Sequence, residues 1–497
     1  MKNSIYFWVA AFLCLNLIAL PAQAQGPMLD LSFTMTTAVG HRQAIYPSFV
    51  DMVRQPDGKL IVAGDFREIN GRVALRVARL LPDGQVDSAF NVPVIDSLVN
   101  CVALQADGKV LLGGSFTTVG GQSRIGIARL LSDGSLDPSF LSPLGRSPSF
   151  GSYFYSYVNE VVVQPGKGIM VLGVMLPPNP APRSSFYAAR LLETNGALDP
   201  TFLPGFDTFD THDVLVLPNG NLVFAGRPHT FGGQQCSVWS TFPDGALDPA
   251  FVPLPSLVSS WAVTIAYGLA RDPATGNLYV IQGPTNVGIA YEPVRLLPNG
   301  VPDPSFSVAG VFPTALVSGL QSVAVQPNGR LLLGGDIPFG PNTYVGSARL
   351  LPSGALDPSY DPNNGPAVGS VRKVLIQPDG ALLFCGHFSQ AGGFALNCLA
   401  RMLDPNVLSA RVPAQADDDV VAWPVPAHDV LHLGLSATRP AREVTLLDAL
   451  GRVVWRRTVP TGQLTPALPT AGLAPGAYLL RVSFAEGKPA YRRVAVE

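Results

Sequence analysis

The sequence predicts an all-β protein, and three observations carry that prediction. With 50 Gly and 47 Pro in 497 residues, turn-formers are abundant, and they punctuate apolar runs instead of clustering. The runs have strand length and either alternate or are apolar throughout. Two phrases also recur: RLLPDGQVDSAF at 79–90 returns at 129, 295 and 349, and QPDGKLIVAGDF at 55–66 returns at 105, 326 and 377. A composition of 47% hydrophobic and 14% charged residues supplies a large core and excludes disorder. A net charge of −2 without basic runs argues against nucleic acid or an anionic membrane surface as partner.

In chain order, MKNSIYFWVAAFLCLNLIALPAQAQ reads as a secretory signal peptide over residues 1–24, with an apolar stretch from Ile5 to Leu20 and Ala22-Gln23-Ala24 as the small-residue cleavage site. Cys14 lies inside the apolar run, so no lipoprotein signal is read. No later stretch is long and apolar enough to span a bilayer as a helix. Cys101, Cys236, Cys385 and Cys398 are few for an exported chain of this size. Cys385 and Cys398 flank a predicted hairpin where one bridge is conceivable, but buried free thiols are the expectation.

The turn glycines Gly58, Gly108, Gly168, Gly220, Gly276, Gly329 and Gly380 are separated by 50, 60, 52, 56, 53 and 51 residues, giving seven units. Each unit parses into four strands, the second apolar on both faces as a sheet sandwiched between neighbours requires. Four-stranded units at this period predict a seven-bladed β-propeller over residues 25–404. LDLSF at 29–33 is a fourth-strand phrase that precedes any complete unit, and the seventh unit stops after its third strand at ARML, 400–403. The N-terminal piece is therefore expected to complete the last blade. Hairpin arithmetic places Arg79 opposite Asp87, Arg129 opposite Asp137, Arg295 opposite Asp303 and Arg349 opposite Asp357, and ring closure places Arg401 opposite Asp30. Because the pairs recur blade after blade, they read as structural rather than as a site. Blade four departs, with Ser240 opposite Asp248.

After Leu403 the composition shifts: 405–420 is a polar linker, and 421–497 holds short alternating runs that fit a small Ig-like β-sandwich. WPVPAHDVLHLGL, VTLLDALGRVVW, LAPGAYLLRV and YRRVAVE in this region resemble the type A C-terminal sorting domain of the type IX secretion system of Bacteroidota; Pro424-Val425-Pro426 stands where Pro-Asn-Pro is usual. The resemblance implies passage across the outer membrane, the secretion machinery as partner, cleavage of the domain, and release or attachment at the cell surface. GGSFTTVGGQSRIGIARLLSDGSLDPSF, 113–140, resembles the delta-60 β-propeller repeat, which has no assigned function and implies no catalytic residues.

No zinc-protease, serine-hydrolase, P-loop or dinucleotide-binding motif is present, so no cofactor is expected and catalytic residues are not assigned. The loops after the second and fourth strands vary and share one face, where binding is expected. SYFYSYVNE offers Tyr153, Phe154, Tyr155 and Tyr157 for stacking on a sugar or anchoring a partner. FDTFDTHD gathers Asp207, Asp210, His212 and Asp213, of which the three carboxylates are candidate cation ligands without the spacing of a known calcium loop. The expectation is an exported monomer acting as a non-catalytic binding module toward an extracellular glycan or protein. The competing expectation is a propeller hydrolase or lyase acting on a glycan.

Overall fold

Glycine-bearing tight turns, Pro-Asp-Gly in blades one and seven and variants such as Ala-Asp-Gly in blade two, set the first hairpin of each blade. Gly108 takes φ +83, a left-handed conformation that favours glycine, and Asp107 Oδ1 accepts from the backbone N–H of Lys109 at 3.2 Å. The computed structural model describes residues 27–33, 37–40, 47–145, 156–175, 186–204, 211–231, 234–256, 263–284, 292–309, 311, 319–340, 343–404, 420–423, 429–435, 440–447, 453–460, 463, 466–473, 476–484 and 490–496. Among them no α-helix occurs, and no helix is long and apolar enough to cross a membrane. Two compact units make up the chain, Met1–Ala410 and Arg411–Glu497.

Within the first unit, seven antiparallel sheets follow one another. Their inner strands are Ser48–Arg54, Val99–Leu104, Tyr157–Gln164, Thr211–Val216, Thr264–Arg271, Leu320–Val325 and Pro366–Ile376. Each inner strand packs against the next, and the seventh packs against the first, so the sheets form a closed seven-bladed β-propeller. The doubly apolar second strands explain themselves in this ring. In blade one, Leu60 and Val62 join a core with Leu383, Cys385 and Leu399 of blade seven, while Ile61 and Ala63 join a core with Val102 and Leu112 of blade two. All of these side chains are at most 6% exposed. The cores lie between blades rather than within them.

Closure uses the N-terminal segment. Met28–Leu29 pairs with Leu399–Leu403 in the seventh sheet, with Met28 opposite Leu403, and Asp30 N–H donates to the Arg401 carbonyl at 2.9 Å. The fourth strand read in every unit is reduced in blades one to six. A single bridge, such as Leu130 with Leu136, is followed at once by a turn. The reason is local: Asp137 Oδ1 accepts from Ser139 N–H at 2.9 Å and bends the chain away from the ladder. Among the described residues of these six, blade four adds a further two-residue strand, Leu254–Pro255, to its sheet. Cys101, Cys236, Cys385 and Cys398 are buried free thiols.

The second unit is a small sandwich. A three-stranded sheet of Val420–Trp423, Val430–Leu435 and Ala467–Pro469 faces a four-stranded sheet of Val453–Thr458, Ala441–Leu447, Gly476–Phe484 and Ala490–Val496 across a core that includes Leu431, Leu433, Val444, Leu446, Leu480 and Val494. Its first strand begins at Val420, the last residue of the stretch read as linker.

Candidate functional site

Two sets of residues recur in the ring, one near the outside and one at the axis. The outer set is built from the repeated phrase. Arg129 Nε donates to Asp137 Oδ2 at 2.8 Å, its guanidinium stacks 4.6 Å from the Phe140 ring centre, and its other nitrogens donate to the Glu193 and Thr194 carbonyls in the next blade's turn. Each phrase thus clips its hairpin to the following blade. Equivalent Arg–Asp bonds link Arg79 to Asp87 (2.9 Å), Arg295 to Asp303 (2.9 Å) and Arg349 to Asp357 (2.8 Å). Arg401 Nε lies 3.2 Å from Asp30 Oδ2, and its NH1 donates to the Pro82 carbonyl at 3.2 Å, joining the seventh blade to the first. Sequence reading missed a further pair, Arg190 with Asp199 at 2.7 Å, because one extra turn residue gives it a separation of nine instead of eight. In blade four, where Ser240 replaces the arginine, Asp248 accepts from Asn221 Nδ2 at 2.9 Å. Such regular geometry suits ring assembly rather than ligand selection.

The axial set begins with a backbone irregularity. In all seven blades the inner strand carries a one-residue register shift against its neighbour at the same height, leaving Val50, Asn100, Asn159, His212, Tyr267, Gln321 and Arg372 as the extra residues. A β-bulge of this kind re-aims side chains. It also demands close approach on the second strand: a Cβ on Gly114 would sit 2.1 Å from the Leu98 carbonyl oxygen. The glycine that closes VLLGG in the repeat is therefore an imprint of the bulge. The extra residue falls eight or nine positions before each turn glycine, and its identity differs in almost every unit while the turn and the second strand that follow are restated. That contrast was the available sequence signal.

The extra residues, and all but Cys101 of those following them, line an axial cavity of about 300 Å³ that includes Asp51, Glu160, Asp213, Ser322 and Lys373. Three of them bind the next blade's backbone. Asp51 Oδ2 accepts from Val102 N–H (2.9 Å), Asp213 Oδ2 from Leu269 N–H (2.7 Å) and Ser322 Oγ from Val374 N–H (3.0 Å). The second oxygen of Asp51 lies 3.2 Å from Lys373 Nζ. The second oxygen of Asp213 accepts from Val214 N–H at 2.7 Å. Burial, and then the Asp51 and Asp213 charges against the opposing pull of Lys373, pushes the Glu160 carboxyl up to about 8. Burial likewise raises Asp213. The Asp51 charge raises Lys373, with Glu160 and Asp213 adding to it against desolvation, so its ammonium stays charged. The His212 and Tyr267 rings lie 5.1 Å apart along the same wall.

Of the residues singled out from sequence, Asp213 is in this wall, with both oxygens engaged by backbone. Asp207 and Asp210 lie outside the described residues, as do Tyr153, Phe154 and Tyr155. Tyr157 opens the inner strand of blade three, 38% exposed and two residues before Asn159. Among the described residues, no three His, Cys, Asp or Glu side chains are grouped to hold a metal ion.

Fold and site together define a closed propeller whose symmetric periphery surrounds an asymmetric polar axis, carried on a chain with a separate C-terminal sandwich. Comparison with known families identifies both parts. Residues 55–90, 105–140 and 326–360 match the family described as "Domain of unknown function (DUF5122) beta-propeller", and 421–497 match the "Secretion system C-terminal sorting domain". The chain carries delta-60-type β-propeller repeats and a type IX secretion C-terminal sorting domain, and it is secreted or attached at the outer cell surface. The sorting domain engages the secretion machinery.

No curated protein matches the sequence. Among solved structures, the extracellular domain described for the hybrid two component system BT3049 of B. thetaiotaomicron aligns at 13% identity and TM-score 0.41, over 93% of this chain and 57% of that one. The extracellular domain of BT4673 from the same organism aligns at 10% identity and TM-score 0.44, over 93% and 52%. PorZ, a surface component of the type-IX secretion system of Porphyromonas gingivalis, aligns at 12% identity and TM-score 0.27, over 97% and 88%. The chain spans about half the length of the first two.

Proposed function

We propose that this protein is a non-catalytic recognition module acting outside the cell, monomeric, with its binding centre at the mouth of the propeller axis. The observation that carries the reading is the polar cavity itself. Seven blades of one repeated sequence contribute Val, Asn, Asn, His, Tyr, Gln and Arg at a single structural position. A position that only held the ring together would repeat, as the outer arginines do. Amides, a hydroxyl and charged groups around a small concavity suit a hydroxyl-rich ligand such as a glycan end, whose hydrogen bonds they can satisfy together. The bulges lie near the starts of the inner strands, on the side of the variable loops, so the aromatic segment with Tyr153, Phe154, Tyr155 and Tyr157 is proposed to flank the same mouth. The signal peptide at 1–24 supplies export to the periplasm in this scheme, and the sorting domain the final step.

A second reading has its own support. Glu160, pushed up to about 8, has the protonation of a general acid at neutral pH, which suits a glycan hydrolase or lyase. One experiment separates the readings. Extracellular glycans and cell-surface preparations are screened against the full chain, an Asn159→Ala/Gln321→Ala variant, and a variant with Tyr153, Tyr155 and Tyr157 changed to alanine, with ligand mass followed throughout. Binding lost in the Asn159/Gln321 variant with ligand intact supports the axial module. Binding lost only in the tyrosine variant moves the site to the loop, and cleaved ligand makes the protein an enzyme.

A further inference from the structure

We propose that the axial cavity accepts a ligand ammonium group, with the carboxylate of Glu160 as its counter-ion. The proposal rests on the cavity being the binding centre and names the chemistry it selects.

The argument is one of broken symmetry in the axial belt. In blades one, four and six the residue after the bulge accepts a hydrogen bond from the following blade's backbone. Glu160 occupies that position in blade three, and its matching donor is Val214 N–H of blade four. That donor is already taken by Asp213 Oδ1 at 2.7 Å. Glu160 also has one more methylene than aspartate, so its carboxyl reaches past the belt into the cavity that it lines. Among the described residues it makes no hydrogen bond or ion pair. Asp51 is already matched, by Val102 N–H and Lys373 Nζ, and Asp213 by two backbone donors. Glu160 is the carboxyl left over.

The groups facing it decide what it takes. Asp51 on blade one and Asp213 on blade four oppose its ionisation, Lys373 on blade seven favours it, and Cys101 on blade two feels its charge. His212, Tyr267 and Arg372 complete the titratable lining. While Glu160 keeps its proton, Asp51 and Asp213 are balanced by Lys373 and Arg372; once it ionises, the three carboxylates outnumber the two cations by one, and a bound monocation restores the balance. A neutral hydroxylated ligand gives no such compensation for ionising Glu160, and an anion opposes it. An ammonium hydrogen-bonded to the Glu160 carboxylate offsets the burial and the carboxylate repulsion that held its proton on. Binding below about pH 8 therefore expels the Glu160 proton to solvent, while the ligand nitrogen keeps its own.

The test is calorimetry on the full chain at pH 6.5 in two buffers of different ionisation enthalpy. Probes are the disaccharide of glucosamine, its N-acetylated counterpart and n-butylamine. The amine-bearing probes are expected to bind with release of close to one proton, and the acetylated sugar at least tenfold more weakly. Glu160→Gln is expected to abolish proton release and reduce amine binding at least tenfold while the chain stays folded, with a thermal midpoint at pH 6.5 no lower than that of wild type. Glu160→Asp, which shortens the reach, should keep the proton linkage but weaken affinity. Equal binding of the acetylated and free sugars without proton exchange overturns the ammonium assignment and leaves the cavity as binding centre. Amine binding with proton release that persists in Glu160→Gln overturns the role of Glu160. Binding by none of the probes overturns the ammonium assignment as well, and the glycan screen with the Asn159/Gln321 variant then decides the cavity separately.

Discussion

The outer clip and the axial wall are two solutions to one problem, joining neighbouring blades, and they treat charge in opposite ways. At the clip every charge is spoken for. Asp137 accepts from Ser139 and from Arg129, whose remaining donors end on carbonyls of the next blade. At the axis, Lys373 pairs with Asp51, Asp213 is held by backbone donors, and Glu160 has no fixed partner among the described residues. The first arrangement recurs nearly unchanged around the ring; the second differs in almost every blade. Saturated, repeated contacts serve assembly, whereas unsaturated, unrepeated ones leave interaction capacity for something that is not the protein.

The sharpest way to break that comparison is to unsaturate the clip. Arg129→Ala removes a guanidinium that is 3% exposed and strands the equally buried Asp137. The expected cost is about 3–5 kcal/mol, read as a fall in the denaturant midpoint. A loss under about 1 kcal/mol would mean that the clip is ornamental. Next in size is the bulge that aims the axial residues. Gly114→Ala drives a methyl into the Leu98 carbonyl and is expected to cost about 2–3 kcal/mol, as overpacking does. A neutral result would show that the bulge relaxes freely.

The pH dependence should carry both signs. Burial pushes Asp137 upward, but hydrogen bonds from Ser139 and the Arg129 guanidinium outweigh it and hold the carboxyl below its usual range; Asp87, Asp199 and Asp357 are lowered as well. A carboxyl lowered in the native state contributes stability above its unfolded pKa, and that stability is lost as pH falls through the native value. Glu160 runs the other way. Between its ordinary value of 4.5 and about 8 the native state holds the extra proton, so stability falls as pH rises across that window. Thermal unfolding of Glu160→Gln should be flatter than wild type between those limits and unchanged in its acid limb. A parallel shift of the whole profile would contradict the assignment. The smallest effect belongs to blade four. Ser240 is buried with an unpartnered hydroxyl among the described residues, so Ser240→Ala should be neutral or stabilising by up to about 1 kcal/mol in the same unfolding assay.

Much of the periphery was legible because its causes are local. The eight-residue separation of Arg129 and Asp137 follows from a tight turn, and the two-faced apolar strand from what a sandwiched sheet must bury. Pair Arg190–Asp199 escaped because a turn insertion changed the count while the geometry persisted. The fourth strands were over-read because the Asp-Pro-Ser turn was not recognised as a strand terminator. Of the aspartates singled out in FDTFDTHD, Asp213 entered the axial wall, but for a reason its neighbours in sequence could not supply.

The sequence by itself determined the blade number, the turns, the interblade cores and the presence of a sorting domain, since each is written within a span of a dozen to eighty residues. Only the tertiary structure decided the axis. Asp51, Glu160, Asp213 and Lys373 come from four blades and meet because the ring closes, and the bulge, not strand alternation, turns them inward. The charge state of Glu160 is set by groups far from it in sequence, so electrostatics at the axis exist only once the propeller is complete.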